Sequence, residues 1–131
     1  MQLTSDQVSK ITKSALSYLD RPYFKDWRCV DFVRAVYQNA GINIPLLMDY
    51  APPPEFNISS EQLNEPPTGY LMFLRDRNDP RKSRVWTHVV IVLTPATCIH
   101  CSIFYGNKVV ISSFDDIFLR YDFAESNQAA K

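Results

Sequence analysis

Six of the chain's nine prolines fall between Ile44 and Thr68: Pro45, Pro52, Pro53, Pro54, Pro66 and Pro67. Proline lacks the amide hydrogen that helix and sheet ladders need, so this stretch is expected to be a loop or lid. Regular structure must lie on either side of it. Before it, apolar residues recur at helical spacing; after it, they fall into short β-branched and aromatic runs. Helices first and strands afterwards predict an α+β fold with helices packed on an antiparallel sheet, not the alternation of a parallel α/β fold. At 131 residues, a single domain spanning 1–131 is expected.

The opening segment sets Val8, Ile11, Ala15, Leu16 and Leu19 on one helical stripe; Thr4 with Gln7 has the form of a capping box, and Pro22 should end this helix. A second helix is predicted from near Cys29, with Phe32, Val33, Val36, Tyr37 and Ala40 on its buried face and Gly41 at its stop. Cys29 thus opens that helix. Strands are predicted in GYLMFLR (69–75), WTHVVIVL (86–93), CIHCSIF (98–104) and KVVISS (108–113), joined by turns at RNDP, TPAT and YGN into an antiparallel meander.

Fourteen Lys and Arg balance fourteen Asp and Glu, so no net field draws the chain to nucleic acid or anionic lipid, and a nucleic-acid binder is not expected. No apolar run nears the roughly 20 residues of a membrane span, and the start MQLTSDQVSK has neither region of a Sec signal. A cytoplasmic place or a dedicated export route is the expectation. Three glycines (Gly41, Gly69, Gly106) supply no phosphate-binding fingerprint, and three cysteines (Cys29, Cys98, Cys101) complete neither a zinc site nor a disulfide framework. No cofactor or metal is expected. The charges are nevertheless uneven. Asp49, Glu55, Glu61 and Glu65 stand in a stretch without Lys or Arg, whereas RDRNDPRKSR (75–84) holds five basic and two acidic residues. Both segments read as solvated loop surface or as the rim of a cleft that sorts charged substrates.

A thiol attacks as thiolate, and the unpaired amides and dipole of a helix N-terminus favour that anion; Cys29 holds such a position. His88 and His100, the only histidines, interrupt apolar runs in successive strands, 12 residues apart. An even separation lets both share one face of the sheet if a tight turn joins the strands. Imidazole is the usual base for a thiol, and a third polar group must orient it. Each residue alone also fits a plainer role: the cysteine as a small buried apolar residue, the histidines as hydrogen-bonded structural ones. Tyr23, Phe24, Trp27 and Trp86 suit either a cleft or the core. Cys98 should share the face of His100 and Cys101 should point away, both as packed thiols.

The stretches RPYFKDWRCVDFVRAVYQNAGINIP, TGYLMFL and THVVIVLTPATCIHCSIFYGNKVVISSF resemble, in order and spacing, the NlpC-type cell-wall cysteine peptidases of the papain-like superfamily. That family has Pro-Tyr before a loop, an Asp-Cys-Ser-Gly-Phe-Val-like helix start, a Gly-Asp-Leu-Val-like strand, and a His-Val-Gly-Ile strand followed by a second His. The resemblance covers residues 4–121 and implies a papain-like α+β fold with the nucleophile at a helix N-terminus. It implies Cys29 as nucleophile, His88 as general base, His100 as the orienting residue, and Tyr23 as an oxyanion donor beside the Cys29 amide. The implied reaction is hydrolysis of an amide bond through a thioester, without cofactor. The implied substrate is a peptidoglycan stem peptide, often cut next to γ-D-glutamyl and diamino-acid residues, or another small peptide. An immunity or delivery partner is left open.

Arg28 stands where the family has Asp, Val30 replaces Ser, Asp31 replaces Gly, Tyr70 replaces the Asp after Gly69, and Val90 replaces Gly. The loop from Tyr23 to Cys29 is also shorter and lacks paired glycines. Substrate preference should shift accordingly. Asp31 reads as a solvent-facing helix residue or as a like charge that raises the thiol's pKa. The same triad would serve a transamidase or acyltransferase, in which an amine or lipid resolves the thioester. A blocked cleft would leave a catalytically silent binding module.

Overall fold

A computed structural model describes residues 2–46, 51–81 and 84–124. Met1 and, in the two uneven charge segments, Asp49, Lys82 and Ser83 lie outside the described residues. The first helix, α1 (Ser5–Ser17), opens on the predicted capping box: the Gln7 amide donates to Thr4 Oγ1 at 3.1 Å, and the Thr4 amide to Gln7 Oε1 at 2.9 Å. Ile11 and Ala15 are buried, but Leu16 and Leu19 are each 40% exposed. The helix stops at Ser17, short of Pro22, and packs mainly on the second helix, so its buried stripe is narrower than the spacing suggests.

That second helix, α2 (Cys29–Asn39), buries Phe32, Val33, Val36 and Tyr37 as predicted. It ends at Ala40, followed by Gly41 at φ +80°, a left-handed conformation that a β-carbon would strain. Strands β1 (Leu71–Asp76), β2 (His88–Thr94), β3 (Thr97–Ser102) and β4 (Lys108–Ser113) form the expected antiparallel meander. Beyond it lie two elements that the sequence reading lacked. α3 (Phe114–Ile117) turns the chain across the sheet, and β5 (Tyr121–Phe123) pairs with β1, giving the order β4-β3-β2-β1-β5.

Both faces of the sheet are covered. Phe73, Val89, Ile91, Ile99 and Cys101 join the core that includes α2, whereas Met72, Leu74, Val90, Val92 and Cys98 pack with Phe114, Ile117 and Tyr121. Double coverage explains why β1 and β2 read as continuous apolar runs. Among its described residues the proline-rich stretch contains one 3-10 turn, Ser60–Gln62, and it is strapped to β1 by Leu71 N to Phe56 O at 2.8 Å and Ile58 N to Leu71 O at 2.9 Å. Glu55, Glu61 and Glu65 are exposed.

The chain between α1 and α2 runs along β4. Asp20 N donates to Val109 O, Val109 N to Arg21 O, and Tyr23 N to Asn107 O, each at 3.0 Å. Lys108 Nζ adds an ion pair with Asp20 at 2.8 Å. This lacing holds the loop that carries Tyr23 into the start of α2. No helix among the described residues is long and apolar enough to cross a membrane.

Candidate active site

His88 is the first residue of β2, and His100 lies near the end of β3. The register that pairs Ile91 with Ile99 and Val92 with Cys98 puts both imidazoles on one face, diagonal to each other. His88 Nε2 and His100 Nδ1 are 2.7 Å apart, and His100 Nε2 lies 2.9 Å from Ser112 Oγ. Two proton arrangements satisfy this chain. If His88 donates from Nε2, His100 donates to Ser112, and His88 keeps a lone pair on Nδ1. If Ser112 donates to His100, His88 carries its hydrogen on Nδ1 instead. The first arrangement leaves His88 able to take a proton.

The pair is deeply buried. His88 stacks on Tyr121 with centroids 5.2 Å apart and an interplanar angle of 18°, and His100 lies 5.2 Å from the Tyr105 ring. Burial, then the neighbouring His100 and Arg120, hold the pKa of His88 well below the usual imidazole range; burial alone brings His100 down to about 4. Both rings are therefore neutral at pH 7.

Cys29 opens α2, as the helix periodicity predicts. The consequence for its charge is the reverse of that expected. Burial pushes the thiol up to about 11, against the amides of Val89 and Val30 and the charge of Arg28; Asp31 adds a small rise. With the residue only 6% exposed, loss of water outweighs the helix terminus. Asp31 is neither simply solvent-facing nor mainly a repulsive charge: its carboxylate accepts from the Arg28 amide at 2.8 Å and so caps the helix.

Cys29 and His88 line one cavity of about 250 Å³, together with Tyr23, Arg28, Arg81, Arg84, Thr87, Cys101, Ser102, Ile103, Phe104 and Tyr121. Tyr23 stands near enough to the thiol that a negative Cys29 helps raise its pKa, after burial, the largest cause. Of the four aromatic residues that suit either cleft or core, Tyr23 alone joins this wall. Trp86 is fully buried against Phe73, Trp27 packs with Tyr18 and Phe32 under Arg21, and Phe24 is 63% exposed. Cys98 packs on the face of His100, whereas Cys101 lies on the other, donates to Trp27 O at 3.4 Å, and reaches the cavity. A larger apolar hollow of about 700 Å³ lies between 41–45 and 51–56 and contains none of these groups.

Sequence reasoning missed Ser112, Tyr121 and Phe104. Ser112 had a legible signal, since it sits two residues from Val110, the register partner of His100. Tyr121 had none, because a strand of three residues shows no alternation. The substitutions at 70 and 90 act on packing: Tyr70 Oη accepts from the Leu3 amide at 2.8 Å, and Val90 is fully buried under α3. Among the described residues, no group of three or more His, Cys, Asp or Glu could hold a metal ion.

Helices laid against a five-stranded antiparallel sheet make this chain an α+β protein. The fold is that of NlpC/P60 proteins. It is similar to an NLP/P60 family protein, described as similar to lipoprotein, from Staphylococcus aureus subsp. aureus Mu50, with TM-score 0.68 and 20% identity over 96% of this chain and 43% of that one. It is also similar to an NlpC/P60 family protein from Bacillus cereus ATCC 10987, with TM-score 0.62 and 19% identity over 90% of this chain and 39% of that one. The chain therefore spans about two fifths of the length of these proteins. No protein-family model and no curated protein sequence matches it.

Proposed function

We propose that this chain is a cysteine peptidase or amidase that hydrolyses amide bonds in peptidoglycan stem peptides. The observation that carries the reading is one buried hydrogen-bonded chain, His88 to His100 to Ser112, whose first ring shares a cavity with the Cys29 thiol. In this mechanism His88 Nδ1 takes the thiol proton as the sulfur attacks the carbonyl carbon, so charge forms only with substrate in place. His100 holds the ring and its tautomer. The Cys29 amide and the Tyr23 hydroxyl donate to the oxyanion, the amine leaves with the proton held by His88, and water then resolves the thioester.

The test is digestion of purified sacculi and soluble muropeptides, with products weighed by mass spectrometry. New fragments that each gain one water, absent with Cys29→Ala, are expected. Products that gain an amine or a lipid acyl acceptor would make the enzyme a transferase instead. A silent binding module is the second reading, favoured by the burial of Cys29 and its pKa of about 11. Saturable muropeptide binding without any product, equal in wild type and Cys29→Ala, would establish it.

A further inference from the structure

Cys101 is a buried thiol that takes no part in the mechanism above, and three observations set it against Cys29. Its Sγ donates to Trp27 O at 3.4 Å, two residues before Cys29 in the chain. The register that pairs Ile91 with Ile99 sets Cys101 opposite Val89 two residues further along, and the Val89 amide is one of the two that bond to Cys29. Both thiols also line the same cavity, where a negative Cys29 helps, after burial, to push Cys101 up to about 12. One sulfur thus comes from the head of α2 and the other from the sheet against which that helix packs. Cys98 stays out of the pair, because it lies on the opposite face of the sheet with Val90 and Phe114.

We propose that Cys29 and Cys101 form a modification site, a dithiol that oxidants of the hydroperoxide class close into an intramolecular disulfide. Cys29 is the sulfur first oxidised, since it is 6% exposed where Cys101 has no exposed surface, and Cys101 is the resolving thiol. The Cys29 thiolate attacks one oxygen of hydrogen peroxide: an S–O bond forms, the O–O bond breaks, and the departing hydroxide takes up the proton that the thiol has lost. The Cys101 sulfur then attacks the sulfenic sulfur. The S–S bond forms, the S–O bond breaks, and the second hydroxide leaves as water with the Cys101 proton, so two thiols and one peroxide give one disulfide and two waters. Burial holds Cys29 at about 11, so closure should be slow at neutral pH and quicken roughly tenfold per pH unit above it. The cross-link stands on the placement of the two thiols alone; that it silences hydrolysis until a reductant reopens it rests on Cys29 as the nucleophile.

The test is mass spectrometry of the folded, fully reduced protein after exposure to hydrogen peroxide at about pH 8.5, where thiolate is less scarce, with remaining thiols blocked in denaturant. The wild-type mass should fall by about 2 Da, with Cys29 and Cys101 joined, Cys98 free to be blocked, and the change undone by dithiothreitol. No Lys or Arg separates Cys98 from Cys101, so peptide fragmentation assigns the partner. Cys98→Ala should close like wild type. In Cys101→Ala the sulfenic acid at Cys29 has no resolving thiol; dimedone should capture it, and without dimedone it should pass to the irreversible sulfinic acid in about tenfold higher yield than in wild type. The wild-type product needs no variant, so it decides the matter even where a substitution disturbs folding. A Cys29 that stays reduced, a link to Cys98 or between chains, or equal over-oxidation in wild type and Cys101→Ala overturns the proposal. Closure in a protein whose reduced form cleaves no muropeptide supports the dithiol site and sinks the peptidase reading. Cleavage by the reduced form without closure under peroxide does the opposite.

Discussion

His88 and His100 meet at 2.7 Å between Nε2 and Nδ1, with their rings 67° apart, so the second imidazole fixes the rotation of the first. Ser112 fixes the second in turn at 2.9 Å. A buried imidazole without a partner would pay the full cost of an unmet hydrogen bond, so this order is enforced by burial itself.

His100→Ala should therefore lower hydrolysis about 10- to 100-fold and stability by about 1–3 kcal/mol, because it strands His88 Nε2. His100→Asn offers an amide oxygen as acceptor and should recover much of the rate. Ser112→Ala should reduce kcat by less, with KM unchanged. Steady-state kinetics paired with denaturant unfolding checks all three; full activity in His100→Ala would remove that ring from the site.

The thiol makes a prediction of opposite sense to an exposed N-terminal cysteine. With its pKa pushed up to about 11, the thiolate fraction of Cys29 grows with every step of pH from neutrality upward. Its alkylation by iodoacetamide, without substrate, should rise steadily between about pH 7 and pH 10, roughly tenfold per unit where thiolate is scarce. A rate already level at pH 6 would mean a resting thiolate–imidazolium pair.

Acid should unfold the protein through the same two rings. Their pKa values are lower folded than unfolded, so between the unfolded value near 6.5 and the folded value of about 4 for His100 the unfolded chain binds more protons. Stability is then complete above about pH 6.5 and is lost as pH falls, by at most about 1.4 kcal/mol per unit for each histidine. Urea unfolding at several pH values should show this slope, and a His88→Gln, His100→Asn double variant should flatten it.

What could be read from the sequence follows from range. Cys29 at the head of α2 is a local consequence of helical spacing and Gly41, whereas the shared face of His88 and His100 depends on a one-residue register shift between Val92 and Thr94: the turn pairs Thr94 with Thr97, and beyond the shift Val92 pairs with Cys98 and Ile91 with Ile99, which sets both rings on one side. Tyr121, Arg81 and Arg84 come from distant segments, and no periodicity links them to Cys29. The charge of the thiol was misjudged for the same reason: a helix terminus is visible in sequence, whereas the burial that overrides it belongs to the packed fold.

Tyr23 is held by its amide's bond to the Asn107 carbonyl, just before β4, so removing its hydroxyl should leave the fold intact. Tyr23→Phe should lose roughly 10²-fold in kcat with little change in KM, the cost of about 3 kcal/mol typical of one oxyanion donor. Alkylation of Cys29 should change far less, since that reaction forms no oxyanion. Equal losses in both assays would assign Tyr23 to the thiol's environment instead.

Arg120 links stability to His88. Its guanidinium binds Asp76 Oδ2 at 2.9 Å from Nε and 2.7 Å from Nη2, and lies 3.5 Å from the centre of the Phe104 ring. Its charge also holds the pKa of His88 down, after burial and His100. Arg120→Met keeps much of the packing on Phe104 but leaves Asp76, 7% exposed, without its cation, at a cost of about 2 kcal/mol, below the value for a fully buried pair because Arg120 is itself 32% exposed. Adding Asp76→Asn should restore most of that stability. The kinetic effect should remain in the double variant: with the positive charge gone, His88 accepts a proton more easily, and the acid limb of kcat/KM against pH moves to higher pH. A pH profile that stays in place while stability drops would confine Arg120 to the scaffold.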